Sequence, residues 1–177
     1  MRGIITLNRF ISKEVFVSIT VDRNLIKDSF AKYAEMLLRV AYQNVRRQAY
    51  AEDVVQDVFV RMQKERQFND EQHIKSWLIR VTIHKCYDFN KSAWESKTEN
   101  FTEQWAQFSE EQTSVFDELS KLPDKQRNVI YLYYYEGYSI PEIAKILKES
   151  QNTVSSRLTR ARAQLKTILT QGGYENE

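Results

Sequence analysis

From Leu25 onward, apolar residues recur at three- and four-residue spacing. Ile26, Phe30, Tyr33, Leu37, Ala41 and Val45 form one stripe, the pattern of an amphipathic helix with a single face turned to a core. A polar break at Asn44–Tyr50 precedes a second run, Ala51–Lys64, in which Val54, Val55, Val58, Phe59 and Met62 make the buried stripe. Gln67–His73 is polar and reads as a loop. A third run, Ile74–Asn90, carries Ile74, Trp77, Leu78 and Val81 toward the same core. No one of these helices can bury its face alone, so the three are predicted to pack as one domain.

The pattern then changes. Between Ser92 and Glu118 there are seven carboxylates against the single basic residue Lys97, with Ser, Thr and Gln filling much of the rest. That composition reads as a linker, although Trp94, Phe101, Trp105 and Phe108 are more aromatic surface than a solvated spacer needs. Pro123 suits the first turn of a helix, where its missing N–H has no partner to lose. The helix is predicted over Asp124–Glu136 and stopped by Gly137. Its tyrosines, with Tyr138, divide between core and surface. Ser139-Ile-Pro-Glu142 is a capping-box pattern that opens a short helix, Ile140–Lys148. After Glu149–Ser150 a last helix runs from Gln151 to about Leu169. The turn has no glycine, having Glu149-Ser150 instead, which costs little if Glu149 ends the helix without a left-handed residue. Helix, sharp turn and helix of this size make a helix-turn-helix unit.

Four glycines and two prolines in 177 residues permit long helices and disfavour sandwiches and barrels, which need frequent turns. The expected class is therefore all-α. An extension (1–24) precedes a first helical domain (25–91), an acidic linker (92–113) and a second domain (114–177) that is a helix-turn-helix. A flexible join between two small domains predicts weak DNA binding by the free protein. A rigid partner holding both would supply the avidity. Cys86 is the only cysteine and His73 and His84 the only histidines, so neither a disulfide nor a metal site is expected, and no cofactor is implied. Arg9, Lys13 and Glu14 interrupt the mildly apolar start before it reaches signal-peptide length. The expectation is a cytoplasmic protein without membrane insertion, with a flexible or weakly strand-like extension at its start.

The net charge of +2 is too small to mark a nucleic-acid binder, but its distribution is informative. From Gln151 to Lys166 there are four basic residues and no acidic one. Val154, Leu158, Ala161 and Leu165 share one face of this helix. The opposite face holds Asn152, Ser156, Thr159, Arg160 and Ala163, with Ser155 and Arg157 on the flanks. Short polar side chains near a helix start allow close approach to base edges, and arginine reaches guanine or phosphate. A solvated basic face on an ordinary hairpin would show the same pattern. Upstream, Asp53, Gln56 and Asp57 lie at i, i+3 and i+4 opposite the valine stripe. Arg80, His84, Tyr87 and Lys91 form a basic-aromatic edge suited to single-stranded DNA. Asp53 and Asp57 share one helix with no third ligand in view, which argues against a metal-dependent nuclease and for a protein that is not an enzyme. A regulator whose first domain dimerises or senses remains an alternative.

The second domain carries a resemblance to a known family. Leu122-Pro-Asp-Lys-Gln-Arg, Tyr-Glu-Gly-Tyr-Ser-Ile-Pro-Glu-Ile-Ala-Lys-Ile-Leu (135–147) and Asn152-Thr-Val-Ser-Ser-Arg-Leu-Thr-Arg-Ala-Arg together resemble region 4 of the extracytoplasmic-function sigma factors, within the sigma-70 family. Ala51-Glu-Asp-Val-Val-Gln-Asp-Val-Phe-Val and Ser76-Trp-Leu-Ile-Arg-Val-Thr-Ile are similar to region 2. The resemblance implies an alternative sigma factor that directs RNA polymerase to promoters. It implies Asp53, Gln56 and Asp57 on the β′ clamp helices, and region 4 on the β flap. Phe68, Asn69, Arg80, His84, Tyr87 and Lys91 would meet the opened −10 element. Gln151, Asn152, Ser155, Ser156, Arg157, Thr159 and Arg160 would meet the −35 duplex. It also implies an anti-sigma factor as partner. His84 stands where the family often has asparagine, and Ser155 where relatives often place a basic residue, so base preference does not transfer directly.

Overall fold

The computed structural model describes residues 18–95 and 110–171. The first domain is built on α1 (Arg23–Val45), α2 (Gln48–Met62) and α3 (Glu71–Glu95). Asp22 caps α1 by accepting the Leu25 N–H at 2.7 Å, satisfying one donor that the first helical turn leaves open. The chain leaves α1 through Arg46 in a left-handed conformation (φ 57°). Three helices meet on Leu37, Val40, Ala41, Val58, Leu78 and Ile79, all of them buried. Trp77 belongs to this core, as its register implies. Phe30 does not: Ser29 takes the buried position on that turn, while Phe30 is 49% exposed and rests on the Phe59 ring at 5.0 Å between centroids.

Between α2 and α3 the polar loop is partly regular. β1 (Ile19–Thr20) pairs antiparallel with β2 (Gln67–Phe68), Ile19 opposite Phe68 and Thr20 opposite Gln67. The strand-like reading of the extension thus holds at its end; residues 1–17 lie outside the described residues. Phe101, Trp105 and Phe108 of the linker lie outside them too.

The second domain begins earlier than composition suggests. Residues assigned to the linker form the start of α4 (Glu110–Ser120), whose Phe116 is buried against Tyr42 of α1 at 5.8 Å. Phe116 and Leu119, both buried, anchor this helix within an acidic stretch, a signal too short for a periodicity argument. α5 (Asp124–Ile130) continues into a π-helical turn, Tyr131–Tyr135, where a plain helix was expected. The turn sets the Tyr131 and Tyr135 rings nearly parallel, 5.0 Å apart. Gly137 follows at φ +74°, a backbone shape that glycine adopts without strain. α6 (Ile140–Leu147) and α7 (Gln151–Gln171) complete the helix-turn-helix. Glu142 Oε2 accepts the Ser139 N–H at 2.8 Å and the Ser139 hydroxyl at 2.6 Å, and these bonds hold its carboxyl below the usual range. The turn corrects one expectation: Lys148 takes the left-handed position (φ 54°) where a glycine would ordinarily stand. Ser150 then caps α7, its Oγ accepting the Thr153 N–H at 3.1 Å.

Candidate polymerase and nucleic-acid interfaces

α2 presents one outward strip. Val54, Val55, Val58 and Phe59 point inward, which leaves Asp53, Gln56 and Asp57 exposed together. Val60, seven residues after Asp53 and so on the same face, is 53% exposed. The acidic strip therefore ends in an apolar spot, the kind of side chain that a sequence pattern assigns no role. Asp57 Oδ2 accepts from Lys85 Nζ of α3 at 2.8 Å, which ties the strip to the third helix.

The loop and α3 divide the expected single-strand contacts. Asn69, His84 and Lys91 are exposed. Arg80 is half-buried among Glu65 and Arg61, and desolvation lowers its pKa. Phe68 departs from expectation. It is 1% exposed and packs edge-on against Trp77 at 5.6 Å and His73 at 5.3 Å, so its ring faces the core and meets no nucleotide in this arrangement. Two-residue alternation in β2 turns Phe68 inward and Gln67 outward, and Asn69, directly after the strand, is exposed as well.

Tyr87 is also engaged, across the two domains. Its hydroxyl accepts from Asn128 Nδ2 of α5 at 3.2 Å, and burial pushes its pKa up. Asn128 is buried at the centre of a polar cluster. Its Oδ1 accepts from Asn44 Nδ2 at 2.9 Å and from Gln43 Nε2 at 3.2 Å, and its Nδ2 also donates to Asn44 Oδ1 at 3.1 Å. The neighbouring Arg127 donates to the Gln43 carbonyl at 2.7 Å and to Asp124 at 2.7 Å. Arg46 pairs with Asp117 of α4, and Lys75 sits over the Tyr138 ring at 4.9 Å. The two domains are thus packed on each other, where a loose join was expected. Gln43, Asn44, Arg127 and Asn128 were missed because polar residues in a helical stripe read as solvent-facing. Only their partners some eighty residues away show otherwise.

On α7, Val154, Leu158 and Ala161 are buried, while Gln151, Asn152, Ser155, Ser156, Thr159 and Arg160 are exposed on the outer side. Arg157, on the flank, pairs with Glu149 of the turn. Arg162 lies over Tyr133 and Tyr134 at 5.2 and 5.4 Å and is held by the aromatic turn. The outer face of α7 therefore keeps short polar side chains and Arg160 outward. Among the described residues, no group of three or more His, Cys, Asp or Glu is placed to hold a metal, and no helix is long and apolar enough to cross a membrane.

Two folded modules in this order define a class. Residues 29–95 match the model of sigma-70 region 2 and residues 113–165 that of sigma-70 region 4; the chain belongs to the sigma-70 family. Its relatives place it more closely, among the extracytoplasmic-function group. It is 28% identical over 161 residues to the ECF RNA polymerase sigma factor SigM of Mycobacterium tuberculosis, covering 88% of this chain and 81% of SigM. It is 28% identical to the RNA polymerase sigma factor YlaC of Bacillus subtilis, covering 86% and 96%. The sigma factor RpoE of Bartonella quintana, solved with the anti-sigma factor NepR, shares the fold at a TM-score of 0.67 and 24% identity, over 83% of this chain and 98% of RpoE. CnrH, solved with the cytosolic domain of CnrY, superposes at 0.64 with 26% identity, over 84% and 90%. The chain is an alternative sigma factor that directs promoter-specific transcription initiation with RNA polymerase.

Proposed function

We propose that the two modules divide promoter recognition, with region 2 holding core polymerase and the opened −10 strand and region 4 reading the −35 duplex. The observation that carries this is the outward face of α7, where Asn152, Ser156, Thr159 and Arg160 stand free of the core on a helix of major-groove dimensions. Asp53, Gln56 and Asp57 dock on the β′ clamp helices, with Val60 as an apolar contact beside them. Asn69, Arg80, His84, Tyr87 and Lys91 form the −10 surface, and region 4 also engages the β flap. The protein performs no chemistry; it works in the cytoplasm by positioning an enzyme. An anti-sigma factor is its regulatory partner, as NepR is for the Bartonella relative.

The test mixes purified protein with core polymerase and a randomised promoter library and sequences the transcripts. Specific starts absent with core enzyme alone are expected. Duplex binding without polymerase, leaving core initiation unselective, would instead mark a conventional regulator. In the same assay Asp53→Lys with Asp57→Lys should weaken core binding by tenfold or more, on the order of 1.4 kcal/mol, with helix content unchanged. Undiminished core affinity would remove the clamp assignment.

A further inference from the structure

The strand formed by the end of the N-terminal extension has no part in either matched module, since region 2 begins at residue 29. It is nevertheless bound at every step to the loop that precedes α3. Ile19 and Thr20 pair with Phe68 and Gln67. The Val21 N–H donates to the Arg66 carbonyl at 3.0 Å, and the Ser18 hydroxyl donates to Gln67 Oε1 at 3.1 Å. There is no slack behind this strap, because Asp22, the next residue, caps α1.

The far end of the loop is fixed as well. Asp70 Oδ1 accepts the His73 N–H at 2.6 Å, and the Asn69 N–H donates to His73 Nδ1 at 3.2 Å. Strap and cap together leave the loop one register. In a strand, a slip of one residue exchanges inward and outward side chains. Here that would bring Phe68 out and turn Asn69 in. Ile19 is half-buried opposite Phe68 and packs on the same core, so the strap covers the ring that the register must keep inside. A two-stranded ribbon is marginal by itself. The alternation of Phe68 and Asn69 therefore depends on the strap being seated.

We propose that Ser18–Val21 is a positioning element for −10 recognition: by pairing with Arg66–Phe68 it holds Asn69 outward for the opened strand. This rests on the reading of Asn69 as a −10 contact. Ser18–Val21 touches no DNA in this scheme and acts only through the loop.

The experiment uses the full-length protein in holoenzyme and measures initiation on a set of promoters substituted singly at each −10 and −35 position. Ile19→Asp removes the apolar anchor of the strap. Val21→Pro removes the N–H that Arg66 accepts and leaves Ile19 in place. Both are expected to reduce discrimination at one or two −10 positions by roughly tenfold, while core binding and the −35 profile stay as in wild type and Ile19→Val restores the −10 profile. Asn69→Ala separates the two levels of the argument. If it alters the −10 profile and neither strap variant does, the strap is structural and the proposal is wrong. If Asn69→Ala leaves the profile intact, the −10 reading of this loop is what fails, and the proposal falls with it. Should Ile19→Asp prove unfolded by thermal melting, Val21→Pro decides alone.

Discussion

Arg157 and Arg160 lie three residues apart on α7, and the difference in their surroundings separates their roles. Arg157 is half-buried and paired with Glu149, so its guanidinium braces the turn against the helix. Arg160 is exposed beside Ser156 and Thr159. A guanidinium that reads guanine bidentately contributes to affinity and selectivity at one base pair, whereas one that meets phosphate contributes to affinity on any sequence. Arg160→Ala is expected to weaken promoter binding by roughly 1–3 kcal/mol and to relax preference at a single −35 position. Competition binding with substituted −35 sequences measures both quantities. An even loss across all sequences would make Arg160 a phosphate contact. The sequence alone was enough to place these residues outward, because Val154, Leu158 and Ala161 fix the buried face. It could not separate Arg157 from Arg160, because Glu149 lies across a turn whose geometry no periodicity describes.

At the scale of elements, the ends of the helices are less regular than their faces, and two of those ends make opposite predictions. Gly137 sits at φ +74° with open space where a Cβ would project. Gly137→Ala should therefore destabilise the protein through the backbone alone, by about 1 kcal/mol. Lys148 occupies the same left-handed region at φ 54° without being glycine. Lys148→Gly should relieve a strain of about 1 kcal/mol, offset in part by glycine's larger unfolded-state entropy. Chemical denaturation of the two variants measures both shifts; equal signs would show that neither conformation controls stability. The interiors of α1, α2, α3, α6 and α7 were legible because each buries a regular stripe. Phe30, displaced from the core by its neighbour Ser29, and α4, with two buried residues in an acidic run, were not, because burial there is decided by the neighbouring element. The π-helical turn at Tyr131–Tyr135, which sets the Tyr131 and Tyr135 rings in a stack, likewise leaves no mark in the helical period.

At the scale of the whole molecule, the proposed division of the promoter between the two domains requires them to separate. On the proposed reading the two promoter elements lie about 25 base pairs apart, or about 85 Å along B-form DNA at roughly 3.4 Å per step. Asn128 bonds Tyr87 directly, and α5, which carries Asn128, packs on α7, a helix of 21 residues and so about 30 Å long. The outer face of α7 is thus held within a few tens of ångströms of Tyr87, so on the proposed reading the domains separate before both elements engage. Their contact is suited to that. Part of it is polar, so Gln43, Asn44, Tyr87 and Asn128 can exchange their mutual hydrogen bonds for water on opening, at a net difference of about 1 kcal/mol per bond. An apolar interface of the same size would oppose separation through the exposure of hydrophobic surface. Asn128→Ala leaves Asn44, Gln43 and Tyr87 without their shared partner and should weaken the closed arrangement by about 1–3 kcal/mol. The expected outcome is a larger radius of gyration in small-angle scattering, with each domain's own helix content retained. Binding to core polymerase should tighten, because less of the binding energy is spent on opening. An Asn128→Ala protein as compact as wild type, with unchanged core affinity, would mean that Phe116 on Tyr42 and Arg46 on Asp117 hold the domains together without the buried amide.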